Sequence, residues 1–302
     1  MKMFKHFTAF TTMTLTAAML LSGCSGSKST SAASSTTADA SDAASGEEVL
    51  KIGVECAYPP FNWVQNEETT ASGKEAEPIV GTKQYAYGYD IAMAQKIAEE
   101  LGVDLEVHKS EWSSIGMGLD AGDYDAIISG MGATKARAEN YNFTDPYYYR
   151  TNCLVVKKGS GLEDVKGLSD LAGKNVKLTT QLGTGWVDLL DQVPDGVKDA
   201  NYETTSECFM AVSNGVADVC VVDLPTARAA LLTNPDLAIV ELADDDKFVG
   251  DDEMTNICIA TRKDDEETTK KMAEVLKKLN WTEKEDMDAL MDEVFKDVPS
   301  NN

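Results

Sequence analysis

The sequence predicts an α/β fold of about two domains, and three observations lead to that prediction. Short apolar segments rich in Val and Ile recur along the chain, and segments with helical periodicity lie between them. Such alternation is typical of a largely parallel sheet that is buried on both faces. The length of 302 residues suggests about two domains, at roughly 100–200 residues per domain.

The N-terminal 23 residues are expected to be a signal peptide and not part of the fold. Lys2 and Lys5 precede an apolar run at 7–21, which is shorter than the ~20 residues of a membrane-spanning helix. The run ends in Leu21-Ser22-Gly23-Cys24, a pattern that resembles a lipobox, in which the cysteine is acylated after cleavage. We therefore predict lipidation of Cys24. The alternative is a plain signal peptide that happens to contain a cysteine.

Residues 24–46 are expected to be the lipidated cysteine followed by a flexible tether. Positions 25–46 contain no aromatic and no branched aliphatic residue, so they have too little apolar surface to offset the entropy of ordering. No later apolar run reaches spanning length. We expect the lipid to be the protein's only membrane contact.

The first half of the body is predicted to contain three strands and two helices. Apolar residues from Ile91 to Leu101 have helical spacing, and Gly102 is a typical helix stop. A shorter helix is expected from Ile115 to Leu119. Residues 65–86 are polar and contain Gly and Pro, so we expect a surface loop there. The predicted strands are Val49–Val54, Val103–Val107 and Asp125–Ser129.

The second half is predicted to contain three more strands, with helices that begin near Trp186 and Glu207. A later helix begins after Asp265 and ends near Lys278, which is the charge distribution that a helix dipole favours. Thr282 to Glu285 has the pattern of a capping box for the last helix. The predicted strands are Leu154–Val156, Val176–Thr179 and Val219–Val222.

The composition excludes several functions. The chain has 51 acidic and 27 basic residues, a net charge of −24, which argues against nucleic acid as a partner. Five cysteines follow Cys24 without CxxC spacing, and His108 is the single histidine of the body. We therefore expect no metal site, no cofactor and no Cys–His nucleophile. Cys220 and Cys258 are expected to be small buried apolar residues, and whether Cys208 and Cys220 form a disulfide is left open.

Eight short segments occur in an order that is more specific than any one of them. The segments are Ile52–Phe61, Gly88–Ile91, Glu111–Trp112, Gly122–Met131, Thr134–Arg137, Phe143–Tyr148, Gln181–Gly185 and Val221–Asp223. In this order they resemble the solute-binding lipoproteins of amino-acid ABC transporters, the polar-amino-acid-binding proteins among the bacterial extracellular solute-binding proteins of family 3. The resemblance extends from about Leu50 to the C terminus.

The resemblance implies a two-domain periplasmic-binding-protein-like fold of type II. In that fold two crossing hinge strands join two α/β domains, and the ligand lies in the cleft between them. The first domain would comprise 47–150 plus 242–302, and the second 151–241. Phe143–Tyr148 would lead into the first crossing and Ala238–Val240 into the second. A site at the carboxyl ends of strands is also what open α/β sheets favour.

The resemblance also implies which residues bind the ligand. Arg137 would bind an α-carboxylate, since its planar fork fits a carboxylate with two hydrogen bonds. Asp223 would bind the α-ammonium group, although it would equally serve as a helix cap. Amides at Gly183–Gly185 before a helix would also meet the carboxylate. The expected ligand-binding residues are Glu55, Tyr58, Trp112, Ser129, Gly130, Arg137, Gln181, Thr184 and Asp223.

The ligand itself stays open at this point. Tyr58 and Trp112 match aromatic positions that sandwich a ligand side chain, and Glu55 matches an acidic position near its distal end. An acid beside aromatic faces favours a cation, but it also accepts hydrogen bonds from an amide. Arginine, lysine, ornithine, histidine and glutamine are all compatible, with the basic group slightly ahead. Gly132 departs from the family pattern, which usually has a hydroxyl residue there.

The implied function is capture of a free polar amino acid on the extracellular face of the cell membrane, or facing the periplasm if the cell has an outer membrane. The ligand would pass to the permease subunits of an ABC transporter, and the protein would be a monomer without enzymatic activity. Two alternatives are a ligand sensor in a signalling complex and a dehydratase-like enzyme of the same fold. The sequence has no Gly-x-Ser-x-Gly motif and no catalytic histidine arrangement, which argues against the enzyme.

Overall fold

A computed structural model describes residues 48–250, 256–281 and 283–300. The predicted signal peptide, Cys24 and the tether lie outside the described residues. Within the described ranges, no helix has both the length and the apolar character that a membrane span requires.

Strands and helices alternate along the described residues, as the sequence predicts. The helices are α1 (Tyr89–Leu101), α2 (Ile115–Ala121), α3 (Lys135–Ala138), α4 (Trp186–Leu189), α5 (Thr205–Ser213), α6 (Leu224–Leu231), α7 (Glu266–Lys278) and α8 (Lys284–Phe295). The strands are β1 (Val49–Val54), β2 (Ala57–Tyr58), β3 (Asn62–Gln65), β4 (Glu77–Pro78), β5 (Tyr85–Tyr87), β6 (Asp104–Lys109), β7 (Ala126–Ile127), β8 (Tyr141–Phe143), β9 (Tyr148–Tyr149), β10 (Asn152–Lys157), β11 (Lys177–Thr179), β12 (Val197–Lys198), β13 (Val219–Asp223), β14 (Leu237–Val240), β15 (Asn256–Ile257) and β16 (Ala260–Arg262).

Two mixed sheets of five described strands each organise the fold. The first has the order β6-β1-β7-β16-β8, and the second has the order β12-β11-β13-β10-β14. β1 is parallel to β6 and β7, and β11 is parallel to β12 and β13. The sheets are not purely parallel, because β16 and β10 each run antiparallel to both of their neighbours.

Two short strands connect the sheets. The chain leaves the first sheet after β8, passes through β9 to β10 in the second sheet, and returns through β15 to β16. β9 and β15 pair antiparallel, with Tyr148 opposite Ile257. They are the two crossing hinge strands of the predicted type II fold. The domain boundaries stay a prediction. The Ala243 amide donates to the Lys166 carbonyl and the Leu168 amide donates to the Asp246 carbonyl, and both bonds favour a second boundary nearer β15.

The helix ends follow local sequence signals. α1 and α2 each end at a glycine in the left-handed conformation, Gly102 and Gly122. The Asp265 side chain accepts a hydrogen bond from the Thr268 amide at the start of α7. The capping box predicted for α8 includes Thr282, which lies outside the described residues.

The segment 65–86 differs from the predicted loop. It contributes β4 and β5 to a four-stranded sheet with β2 and β3. The Ser72 amide donates to Asp297 Oδ1 at 2.8 Å, so the segment is also held against the C-terminal region. Strands of two to four residues carry too few alternating positions to be recognised from a sequence.

Gly88 allows α1 to begin close to a neighbouring backbone. The amides of Tyr89 and Asp90 donate to the carbonyls of Pro60 and Phe61 at 3.0 and 2.8 Å. Gly88 itself has φ of +133°, and a Cβ atom there would lie 2.3 Å from the Phe61 carbonyl oxygen. A side chain at this position would therefore push the start of α1 away from the segment that carries Tyr58.

We expect Gly88→Ala to destabilise the protein more than Gly122→Ala. Gly122 is in the left-handed helical region, which costs alanine about 1–2 kcal/mol, and nothing lies within 4 Å of a Cβ there. Gly88, at φ +133° and ψ −179°, is in a region essentially restricted to glycine, where a side chain costs about 1–3 kcal/mol. The clash at Gly88 should add about 1–3 kcal/mol. Urea denaturation of both variants measures the difference, and equal losses would show that the contact with Phe61 relaxes without cost.

Candidate functional site

A small cavity of about 20 Å³ lies at the carboxyl ends of strands from both sheets. Its wall includes eight of the nine residues that the sequence predicted for the site, all except Asp223. The lining residues are Glu55, Tyr58, Trp112, Ser129, Gly130, Gly132, Thr134, Arg137, Arg150, Gln181, Thr184, Gly185 and Trp186.

Arg137 connects the two sides of the cavity. Thr134 caps α3 by accepting the Arg137 amide at 3.3 Å, which places the side chain at the cavity wall. Nη1 donates to the Gly132 carbonyl and Nη2 to the Gly183 carbonyl, both at 2.9 Å. The guanidinium lies 5.1 Å from the centre of the Trp112 ring. Burial, with the nearby charge of Arg150, lowers the pKa of Arg137 to about 10, so the group is charged at neutral pH.

Glu55 is a buried carboxyl at the end of β1. Its side chain is 3% exposed, and Oε1 accepts a hydrogen bond from Gln181 Nε2 at 2.9 Å. Burial raises the pKa of Glu55 to about 8, and the negative charges of Glu203 and Glu111 add to this, against the hydrogen bond from Gln181. The carboxyl is therefore mostly protonated at neutral pH. A cation bound beside it would lower the pKa again and favour the charged form.

Asp223 lies one layer behind the cavity wall. It is fully buried, and Oδ1 accepts the Thr226 amide at 2.9 Å, so it caps α6. The Tyr58 hydroxyl donates to Oδ2, and Tyr58 lines the cavity whereas Asp223 does not. Burial raises the pKa of Asp223, and the charge of Arg150 partly offsets this. The cap role is confirmed, whereas contact with an ammonium group stays a prediction.

Gly130 is required for the position of Tyr58. It has φ of +60°, and a Cβ there would lie 2.6 Å from the Tyr58 ring. The Ser129 hydroxyl accepts the Glu55 amide at 2.9 Å and so joins the ends of β7 and β1. The predicted residues of the first sheet are thus brought together by backbone packing as well as by their own side chains.

The segment after β11 supplies the opposite wall. Gln181 Nε2 also donates to the Glu203 carbonyl at 2.8 Å, and the Thr184 hydroxyl donates to the Gln181 carbonyl at 2.7 Å. Trp112 Nε1 donates to the Leu182 carbonyl at 3.1 Å, which is a direct contact between the two sides. α4 is only four residues long. A short helix has a weak dipole, so the predicted contribution of its first amides is small.

Sequence reasoning missed Arg150 and Trp186. Arg150 lies between the hinge strand β9 and β10, and its Nη1 is 3.1 Å from the Tyr58 hydroxyl and 3.2 Å from the Gly130 carbonyl oxygen. Its guanidinium is 4.9 Å from the centre of the Trp186 ring. Arg150 belongs to none of the eight segments. Its place directly after the first crossing is the signal that points to the cleft.

We searched the described residues for side chains that could form a metal site. They contain no group of three or more His, Cys, Asp or Glu side chains able to hold a metal ion. The cysteines at 56, 153, 208, 220 and 258 are all buried, with free thiols. The predicted burial of Cys220 and Cys258 is therefore confirmed.

Comparison with known proteins identifies the family. The sequence profile of the bacterial extracellular solute-binding proteins, family 3, matches residues 50–297. The chain belongs to this family, and its fold is the two-domain type II fold with the ligand cleft between the domains.

Three named proteins illustrate the similarity. The chain is 27% identical to ABC transporter arginine-binding protein 1 of Escherichia coli K12, over 77% of this chain and 86% of that protein. It is 28% identical to the arginine-binding extracellular protein ArtP of Bacillus subtilis 168, over 75% of this chain and 79% of that protein. A solved structure of an ancestral arginine-binding protein bound to glutamine is 29% identical, with a TM-score of 0.63, covering 83% of this chain and 97% of that one.

Glu55 should make the stability of the protein depend on pH. Because its pKa rises from 4.5 to about 8 on folding, its stabilising contribution is complete below about pH 4.5 and is lost as the pH rises to about 8. We expect Glu55→Gln to flatten the stability curve in this window. Urea denaturation from pH 4.5 to 8 measures it, with Glu274→Gln on the exposed face of α7 as the control. Parallel curves for the wild type and Glu55→Gln would contradict the assignment.

Proposed function

We propose that this protein captures a free polar L-amino acid, either a basic amino acid or glutamine, and delivers it to an ABC permease. One observation carries the proposal: a charged guanidinium, a buried carboxyl and two aromatic rings line one small cavity between two sheets joined by a hinge. These groups match the carboxylate, the polar end and the body of an amino acid.

Arg137 is the proposed partner of the α-carboxylate. A guanidinium has five N–H donors, and two of those on Arg137 are used by the Gly132 and Gly183 carbonyls. The others are available to a carboxylate in the cavity. Because the two carbonyls belong to opposite sides of the cleft, a ligand bound to Arg137 would reinforce the closed arrangement. Ligand binding would then shift the population toward closure.

Glu55 is the proposed partner of the polar end of the ligand. It can bind a cationic side chain as a carboxylate or hydrogen-bond an amide in either protonation state. The names of the relatives support both possibilities, since two are arginine-binding proteins and the third was solved with glutamine. We propose that the other predicted residues that line the cavity contact the same ligand.

The cellular setting follows from the same proposal. Acylation at Cys24 would hold the body on the extracellular face of the membrane through the tether, and the protein would act as a monomer. Two or more acyl chains give a stable anchor, whereas one is marginal. We infer a binding protein and not an enzyme, since the named relatives above are binding proteins.

Removal of the Arg137 charge should weaken amino-acid binding strongly. Loss of one partner of a buried charge pair costs ~2–5 kcal/mol, or roughly 30-fold to a few thousand-fold in the dissociation constant. We expect Arg137→Gln to lose this much, whereas Arg228→Gln, an exposed arginine on α6, should bind as the wild type does. Calorimetric titration with arginine, lysine and glutamine measures the effect. Near-wild-type affinity in Arg137→Gln would contradict the assignment of Arg137 as the partner of the ligand's carboxylate.

Glu55→Gln should separate the two ligand classes. A basic ligand needs the negative charge, so its affinity should fall ~30-fold or more, whereas glutamine should change only a few-fold. Because the pKa of the free Glu55 is about 8, wild-type affinity for a basic ligand should rise between pH 6 and 8, by at most about tenfold per pH unit, and level off above. Calorimetric titrations with a basic ligand and with glutamine between pH 6 and 8 measure both effects, with Glu274→Gln as the control. A uniform loss for all ligands would rule out a preference for a basic side chain.

A further inference from the structure

Arg150 places a second positive charge in the cavity, at its hinge end. It follows β9 directly and precedes β10, so its backbone lies at the crossing between the sheets. Its side chain lines the same cavity as Arg137, and its charge contributes to the lowered pKa of Arg137. The role proposed above for Arg137 leaves Arg150 without a function.

The guanidinium of Arg150 is held from two directions. Nη1 donates to the Tyr58 hydroxyl at 3.1 Å and to the Gly130 carbonyl oxygen at 3.2 Å. The Trp186 ring, at the start of α4, covers the guanidinium with its centre 4.9 Å away. The Tyr58 hydroxyl in turn donates to Asp223. The charge of Arg150 is therefore linked to the buried carboxylate through one hydroxyl group.

The Tyr58 hydroxyl and the Gly130 carbonyl lie where an α-ammonium group of the ligand would need hydrogen-bond acceptors. A carboxylate on Arg137 would lie next to Gly132, whose carbonyl Arg137 contacts. Gly130 is two residues earlier, hence at most about 7 Å away along the chain. An ammonium group one carbon from the carboxylate would have to find acceptors within this distance. The Gly130 carbonyl and the pair formed by Tyr58 and Asp223 are suitable, and Arg150 already donates to both sides of this set.

We propose that Arg150 is a specificity-determining residue that takes the place of the ligand's α-ammonium group. The site would then accept carboxylates with a distal polar or cationic group, with or without an α-amino group. This inference rests on the proposed function, because it takes Arg137 as the carboxylate partner. A second cation brought to Asp223 would meet a carboxylate whose charge Arg150 already offsets in part through the Tyr58 hydroxyl. The α-ammonium group therefore adds little to the affinity.

A purely structural role makes a different prediction. If Arg150 only braced the hinge, its replacement would change the affinity for every ligand by a similar factor. Competition between Arg150 and the ammonium group instead changes the ratio of affinities for a ligand with and without that group. This ratio is insensitive to a general change in hinge stability, because both ligands share the same closure.

The experiment titrates the full protein with two ligand pairs by calorimetry. The pairs are arginine with desamino-arginine and glutamine with desamino-glutamine, each differing only in the α-amino group. In the wild type we expect the analogue to bind less than about tenfold more weakly than the amino acid. In Arg150→Gln the acceptors lose their cation, so the difference should exceed about 30-fold, the lower limit for a buried charge pair. Arg150→Lys keeps the charge and should resemble the wild type.

The outcomes separate this inference from the proposed function. If neither arginine nor glutamine binds to the wild type, the proposed function fails and the inference with it. If they bind, and the ratio is the same in the wild type and Arg150→Gln, the inference alone is overturned. Should Arg150→Gln not fold, the wild-type ratio decides: a difference above about 30-fold between amino acid and analogue overturns the competition with Arg150.

Discussion

The Arg137 guanidinium donates to the Gly132 carbonyl on one side of the cleft and to the Gly183 carbonyl on the other, each at 2.9 Å. A half-buried cation of this kind needs acceptors that satisfy it, because an unpaired charge in a desolvated site is costly. The two carbonyls belong to segments connected to different sheets. The position of Arg137 therefore depends on how the sheets meet, and the form of the cavity depends on Arg137.

The charges of the cavity are distributed unevenly. Arg137 and Arg150 lie near Gly130 and Gly132. At the other end, burial, with a smaller contribution from nearby acids, raises the pKa of Glu55 to about 8. A ligand with a carboxylate at one end and a polar or cationic group at the other fits this polarity. Binding of the ligand's polar or cationic end depends on pH because Glu55 gains or loses a proton. Binding of the ligand's carboxylate lacks this dependence, because Arg137 stays charged at neutral pH.

Much of this fold could be predicted from the sequence because its signals are local. Gly102 and Gly122 end helices as predicted, and the apolar strands β1, β11 and β13 lie where short β-branched runs predict them. The antiparallel placement of β16 and β10 could not be predicted, since pairing across many residues leaves no local pattern. The same is true of the small sheet formed by the segment 65–86.

The candidate site likewise contains residues that could be predicted from the sequence and contacts that could not. Glu55 and Gly130 lie in motifs at strand ends, and the structure brings them together as expected. The place of Asp223 behind Tyr58 depends on how β2 and β13 meet, and the contact of Arg150 with Trp186 depends on how α4 lies beside the start of β10. Contacts between residues far apart in the chain are not visible in either segment alone.

The central claim is that the cavity around Arg137 binds a free polar amino acid without changing it. A thermal-shift screen of the purified protein against the free amino acids, followed by mass spectrometry of the recovered ligand, tests this most directly. We expect a large rise in melting temperature with one or a few basic amino acids or glutamine, and a ligand recovered unaltered. No shift with any amino acid, or a ligand recovered in altered form, would contradict it.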